Sequence, residues 1–231
     1  MTILPGTLVT PAGVIKGFDC NTTLTAQSAK AFYDHGERFV VRYVRRGPKH
    51  AYDLTAQEAN VILSAGLGLM AVQHVESADA WTPSRDKALV YGQAAVEEMK
   101  AIGFPPGAMC WLDLEGVTLG TPARTVITYC NAWYHLVSIA GYLPGLYVGW
   151  RCGLTGQQLY QDLRFTRYWG AYNVNRDQSP VPRGFCMKQG PYPGTHAIPV
   201  TFAFDTDLIQ ADAKGDVPMV LAPLGWLEGD G

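Results

Sequence analysis

Cys110-Trp111-Leu112-Asp113-Leu114-Glu115-Gly116 is an apolar run that closes on two acids and a glycine. Side chains alternate across a strand, so Trp111, Asp113 and Glu115 share one face while Cys110, Leu112 and Leu114 share the other. Residues two apart on a strand lie about 6.5–7 Å apart at Cα. At that spacing the two carboxylates feel each other, and in a dry site both do not ionise cheaply. Gly116 ends the strand and opens a loop. Acids at strand ends are often only loop caps or ion-pair partners. A D-x-E pair placed directly after a hydrophobic run is less ordinary, because it sets two charges on one side of a strand whose other side is Leu, and it points to function.

Outward from this stretch, composition sets bounds. The chain has 231 residues, 48% of them apolar and 16% charged, enough for one sizeable core and unlike a disordered chain. Net charge is −2, and the only basic cluster is Arg42, Arg45 and Arg46, which argues against a nucleic-acid partner. Six Trp and twelve Tyr suit core filling and the walls of a sugar-binding cleft. Five widely spaced cysteines, Cys20, Cys110, Cys130, Cys152 and Cys186, sit mostly in apolar runs and read as reduced core residues. No C-x-x-C pair suggests zinc. Residues 1–11 lack the features of a signal peptide, and no run is long enough for membrane insertion.

Strand-like and helix-like segments alternate along the chain. Strands are expected at 14–19, 39–44, 68–74, 110–115, 145–150, 168–173, 184–189 and 201–205. Helices are expected at 25–36, 55–66, 84–103, 121–141 and 155–163; the second opens on a capping box, Thr55-x-x-Glu58, and ends at Gly66. Pro180, Pro182, Pro191, Pro193 and Pro199 make the last part helix-poor. Such alternation implies parallel strands with right-handed crossovers, and eight strands suggest an α/β fold: a single (β/α)8-like TIM barrel with irregular last units. A doubly wound open sheet is the competitor, but its glycine fingerprint is missing. The expected organisation is an N-terminal extension (1–12), the barrel (13–211), and a tail (212–231) packing on the barrel as a last helix or ordered strap.

In a barrel the active face lies at the C-terminal ends of the strands. Asp19 ends the first expected strand, Asp113 and Glu115 the fourth, and Asp205 the eighth, with Asp207 just beyond. Strands one and eight are neighbours on closure, so Asp19 and Asp205 approach across the seam. Four acids at one mouth repel one another unless a substrate, metal or proton makes use of them. The same rim is expected to carry Arg42, Tyr43, Gln73, His74, Tyr147, Tyr172 and Gln189.

Gly17-Phe18-Asp19, Trp111-Leu112-Asp113-Leu114-Glu115-Gly116 and Phe204-Asp205-Thr206-Asp207-Leu208 resemble, in order and spacing, the motifs of the family 25 lysozymes. They are more closely similar to the related glycoside-hydrolase-like barrels once classed as a domain of unknown function, whose second strand resembles 39–43. The resemblance spans about 14–208. It implies a barrel that cleaves the β-1,4 bond between N-acetylmuramic acid and N-acetylglucosamine in peptidoglycan, without a cofactor. Glu115 then matches the general acid, Asp113 its stabilising or orienting partner, and Asp19 and Asp205 the remaining acids of the cleft. Arg42, Tyr43, Gln73, His74, Tyr147, Trp169, Tyr172, Gln189 and Asp207 become the expected substrate contacts. Two segments depart from the family pattern: Tyr172 follows Trp169 by three residues rather than four, and Gln189 is followed by Gly190-Pro191 rather than by an aromatic.

The implied partner is a peptidoglycan glycan strand, reached through a holin, a phage particle or a secretion apparatus, so that the protein acts at the bacterial cell wall as an endolysin or antibacterial effector. Two rival readings stand beside this one. The first is a non-catalytic glycan-binding or structural barrel of a phage particle or secretion apparatus. The second is a metal-dependent hydrolase in which Asp19, Asp113, Glu115 and Asp205 hold a divalent cation.

Overall fold

A computed structural model of the protein describes residues 3–191 and 198–226. Pro193 and the last five residues of the expected tail lie outside the described residues. Among the described residues, ten strands and five α-helices occur in the order β1 (Thr7–Val9), β2 (Ile15–Cys20), α1 (Ala26–Asp34), β3 (Phe39–Val44), α2 (Ala56–Ser64), β4 (Gly68–Gln73), α3 (Arg85–Ile102), β5 (Met109–Leu114), α4 (Ala123–Ile139), β6 (Leu143–Val148), α5 (Gly156–Gln161), β7 (Tyr168–Gly170), β8 (Met187–Gln189), β9 (Asp205–Ile209) and β10 (Val220–Ala222).

Strands β2 to β9 pair in succession, and β9 returns to β2, so eight strands close into a barrel. Runs such as Phe-Val-Val-Arg-Tyr-Val in β3 suit a strand buried on both faces, being β-branched or aromatic at every position but Arg42. One set of side chains fills the barrel, among them Phe39, Val41, Met70, Val72, Trp111, Trp169 and Met187. The alternate set, with Val40, Leu69, Cys110 and Leu112, packs outward against the helices. All five cysteines are buried and unpaired.

Helix starts follow local chemistry. Ser84 accepts the N–H of Lys87 and Thr155 that of Gln158, each satisfying an N–H the helix itself leaves unpaired. The expected capping box of α2 forms only by half. Thr55 accepts the N–H of Glu58, but the Glu58 carboxylate is drawn to Arg42 and to the N–H of Leu24.

The eighth strand differs from the sequence expectation. It spans Asp205–Ile209 rather than 201–205, and it runs antiparallel to both neighbours. A β8–β9 hairpin needs no crossover helix, and the described residues between the two strands carry none. The described residues of the tail contribute β10, which pairs with β1 from the N-terminal extension and touches β4 at Leu221 opposite Leu69. Val220 joins the side chains inside the barrel, and Trp226 donates to the carbonyl of Arg38. Strand β10, held by β1, thus covers the barrel at the end opposite its mouth.

Candidate active site

Strand β5 delivers the two acids expected of it, in different surroundings. Asp113 is the inward residue at the end of the strand and only 4% exposed, with Oδ1 buried and without a partner. Glu115 lies one residue past the strand, half-buried at the mouth. Its loop is pinned from both sides. Trp81 Nε1 donates to the carbonyl of Glu115 at 2.6 Å, and the N–H of Gly116 donates to the carbonyl of Trp150 at 2.8 Å. Gly116 has φ 63°, and a Cβ there would lie 2.5 Å from the backbone of Ala78, so only glycine fits. Gly149 leaves room for the acid itself: a Cβ on it would lie 2.6 Å from both Cβ and Oε2 of Glu115.

Across the barrel, antiparallel pairing sets Asp19 opposite Asp205 and Gly17 opposite Asp207. Because β9 runs backwards, its first residues lie at the mouth, so Asp205 reaches the expected place from the start of a strand rather than from its end. Asp205 is exposed on the rim, whereas Asp207 is buried beside Asp19 and accepts from Trp169 Nε1 at 2.8 Å. Asp19 accepts from Gln189 Nε2 at 2.9 Å and from the Tyr43 hydroxyl at 3.4 Å. The Tyr147 hydroxyl donates to Gln189 Oε1 at 3.1 Å, completing a chain of polar groups around the inner wall.

Burial governs the charges here. It lifts Asp19 to about 7, helped by the negative charge of Asp205 and opposed by the Gln189 hydrogen bond. Asp207 rises well above the ordinary carboxylate range for the same reason, with the Asp19 charge adding to it. Asp113 also rises well above its usual value, through burial first and then the charges of Glu115 and Asp19. Glu115 is raised by burial. Of the two, Asp113 is lifted further, because it lies deeper. Both pairs are therefore shifted towards the protonated form relative to isolated carboxyls.

Of the other expected contacts, Tyr43, His74, Tyr147, Trp169, Gln189 and Asp207 face the interior or mouth. Arg42 and Gln73 do not. They alternate to the outer face, where Arg42 is fully buried against Glu58 and Gln73 bonds the carbonyls of Arg45 and Tyr91 and the indole of Trp133. Strand parity makes this unavoidable, since Tyr43 and His74 already occupy the inward positions. Tyr172, in the loop after β7, lines a surface cavity of about 420 Å³ that Gln189 also lines, so it neighbours the cluster through Gln189.

Several rim groups were missed by sequence reasoning. Asp53, fully buried, faces His74 Nε2 at 3.0 Å. Trp150 is exposed beside the Glu115 loop, with the Arg151 guanidinium 4.7 Å from its ring centroid. These residues sit in loops, where periodicity is silent; a buried-acid and histidine pair twenty-one residues apart carries no local signal. Among the described residues, no group of three or more His, Cys, Asp or Glu is placed to hold a metal ion.

No curated protein matches the chain. Solved structures share the fold. The Tat-secreted protein Rv2525c of Mycobacterium tuberculosis, solved with L-tartrate, is 14% identical at a TM-score of 0.61, over 87% of this chain and 96% of that one. An uncharacterised B. stearothermophilus protein is 18% identical at 0.63, over 85% and 96%. The bacterial lysozyme of Streptomyces coelicolor is 14% identical at 0.55, over 89% and 95%. The family model of the Rv2525c-like, glycoside hydrolase-like domain matches residues 30–182, more than half of the chain. With a glycoside-hydrolase-like barrel and carboxyls gathered at its mouth, the chain belongs to the Rv2525c-like glycoside-hydrolase-like family.

Proposed function

We propose that the protein is a peptidoglycan-cleaving glycoside hydrolase, an N-acetylmuramidase, with Glu115 as general acid and Asp113 as its stabilising or orienting partner. The observation that carries the reading is the Asp113–Glu115 pair itself: two carboxyls at the barrel mouth, both raised, the outer one open to a ligand and the inner one with a free buried oxygen. Glycoside hydrolysis asks for a protonated acid on the leaving oxygen and for negative charge near the oxocarbenium-like centre.

Glu115, at the mouth, gives its proton to the glycosidic oxygen as the bond to the anomeric carbon breaks. Asp113, below it, accepts the acetamido N–H through Oδ1 and so turns that group's carbonyl towards the anomeric carbon, or supplies the counter-charge directly. Water then adds to the anomeric carbon, and its proton returns to Glu115. Asp19 and Asp207 lie across the mouth as a second carboxyl pair whose raised values limit its charge. On this reading the protein acts at the bacterial cell wall, after phage release or delivery by a secretion apparatus.

The test is release of reducing ends from purified peptidoglycan by the wild type and by Glu115→Gln. We expect N-acetylmuramic acid at the new ends with the wild type, and a loss of at least 10³-fold in the variant, in the range expected when acid catalysis is removed (about 10²–10⁴-fold). Glycan binding without release by the wild type would overturn the catalytic assignment and leave a binding barrel.

A further inference from the structure

The loop between β3 and α2 is held by buried charges that the proposed reaction does not use. Arg42, fully buried, donates through Nε to Glu58 at 2.7 Å, through Nη1 to the carbonyl of Cys20, and through Nη2 to the carbonyl of Tyr52 at 2.9 Å. Asp53 accepts the N–H of His50 at 2.6 Å and faces His74 Nε2 at 3.0 Å. Leu54 N–H closes the loop onto the carbonyl of Tyr43 at 2.9 Å. Buried charged groups are costly unless paired, and here each is spent on the backbone or flank of one loop.

That loop presents an exposed aromatic stack. His50 and Tyr52 stack at 5.0 Å and 11°, both exposed, Tyr52 at 39%. The His74 ring stands nearly upright against Tyr52, 5.6 Å away at 74°, and its own face stacks on Tyr43 at 4.6 Å. Since the Tyr43 hydroxyl bonds Asp19, aromatic surface runs without a break from the acid cluster to the loop. Facing a carboxylate, His74 Nε2 carries the ring proton, which leaves Nδ1 as an acceptor. Among the described residues Nδ1 has no partner, and the side chain is 18% exposed.

We propose that Tyr52, His50 and His74 form an accessory pyranose subsite, one that holds an N-acetylated hexosamine of the glycan away from the bond being cleaved. The open face of the His50–Tyr52 stack takes the C–H face of the sugar, and His74 Nδ1 accepts from a hydroxyl or the amide N–H at its edge. A rigid, flat apolar face with a single directed acceptor fits a sugar ring. The base of a nucleotide is the other flat ligand, but the nucleotide's phosphates would meet the acid cluster and a net charge of −2. The inference rests on the glycan reading above.

The experiment is calorimetric binding of two peptidoglycan saccharides, the N-acetylglucosaminyl–N-acetylmuramic acid disaccharide and its tetrasaccharide, to Glu115→Gln protein with and without Tyr52→Ala. The tetrasaccharide is expected to bind the Glu115→Gln protein more tightly than the disaccharide, and Tyr52→Ala to weaken the tetrasaccharide at least tenfold while leaving the disaccharide unchanged. Tyr52→Phe, which keeps the ring, should retain the tetrasaccharide affinity, and an unchanged melting temperature in each variant confirms the fold. Equal tetrasaccharide binding with and without Tyr52→Ala overturns the subsite and leaves the glycan reading standing. Equal weakening of both saccharides moves Tyr52 to the reaction centre and overturns the accessory placement. Failure of both saccharides to bind the Glu115→Gln protein removes the glycan reading itself, and the subsite with it.

Discussion

Glu115 owes its position to a residue with no side chain. Gly149→Ala would push a methyl group into both Cβ and Oε2 of the acid, and the near end of Glu115 has no rotamer that escapes it. We expect a loss of activity on peptidoglycan of tenfold or more, with a stability cost of about 1–3 kcal/mol, as for other overpacked sites; turnover and urea titration on the same preparation separate the two. Asp19 yields a pH prediction. Its folded value of about 7 lies above the ordinary 3.8, so between those values the folded state binds more protons than the unfolded one. Stability contributed by protonated Asp19 is therefore present in acid and lost as pH rises through about 7. Because Glu37, also buried, is lifted to about 7, the test is a difference: Asp19→Asn should gain on the wild type between pH 4 and pH 8, by at most about 4 kcal/mol. A difference that stays flat across that range would show that Asp19 titrates normally.

At the scale of elements, the β3 strand and its following loop show what one alternating position can do. Arg42 reads as a rim residue only while its face is unknown. Turned outward, it ties β3 to α2 through Glu58 and fixes the loop at Tyr52. Removing one partner of a buried pair leaves the other uncompensated, so Arg42→Ala should cost about 3–5 kcal/mol. Thr55→Ala, which removes only the cap on α2, should cost about 1 kcal/mol. Denaturant midpoints of the two variants rank these effects, and equal values would count against the buried pair. Legibility in the sequence follows the same line. Strand β3 has the expected bounds because five of its six residues are β-branched or aromatic, whereas β7 and β8 are shorter than expected because neighbouring turns leave few residues in register.

Across the whole molecule, the barrel has a carboxyl-lined mouth and a bottom covered by β10 with β1 beside it. Val220 packs into the interior from the tail, and β1 and β10 hold each other across the chain's full length. Val220→Ala removes buried methyl groups at the far end from the acids. It should lower stability by about 2 kcal/mol while leaving kcat on peptidoglycan unchanged, measured below the lowered melting temperature. A change in kcat would mean that the bottom plug and the mouth are coupled.

The sequence by itself determined the alternation of strands and helices, the D-x-E at the end of β5 and the three acid-bearing motifs, because hydrophobic period and side-chain alternation are local properties of a chain. It did not determine the direction of β9. Asp205 still reaches the mouth, since a misplaced strand end and a reversed strand direction cancel. Only the tertiary structure decided that Arg42 and Gln73 turn outward, that Asp113 lies deeper than Glu115, and that Asp53 meets His74. Each depends on which face of the sheet closes inward and which loops meet over it, and burial depth, the main cause of the shifted carboxyls, exists only once the barrel has closed.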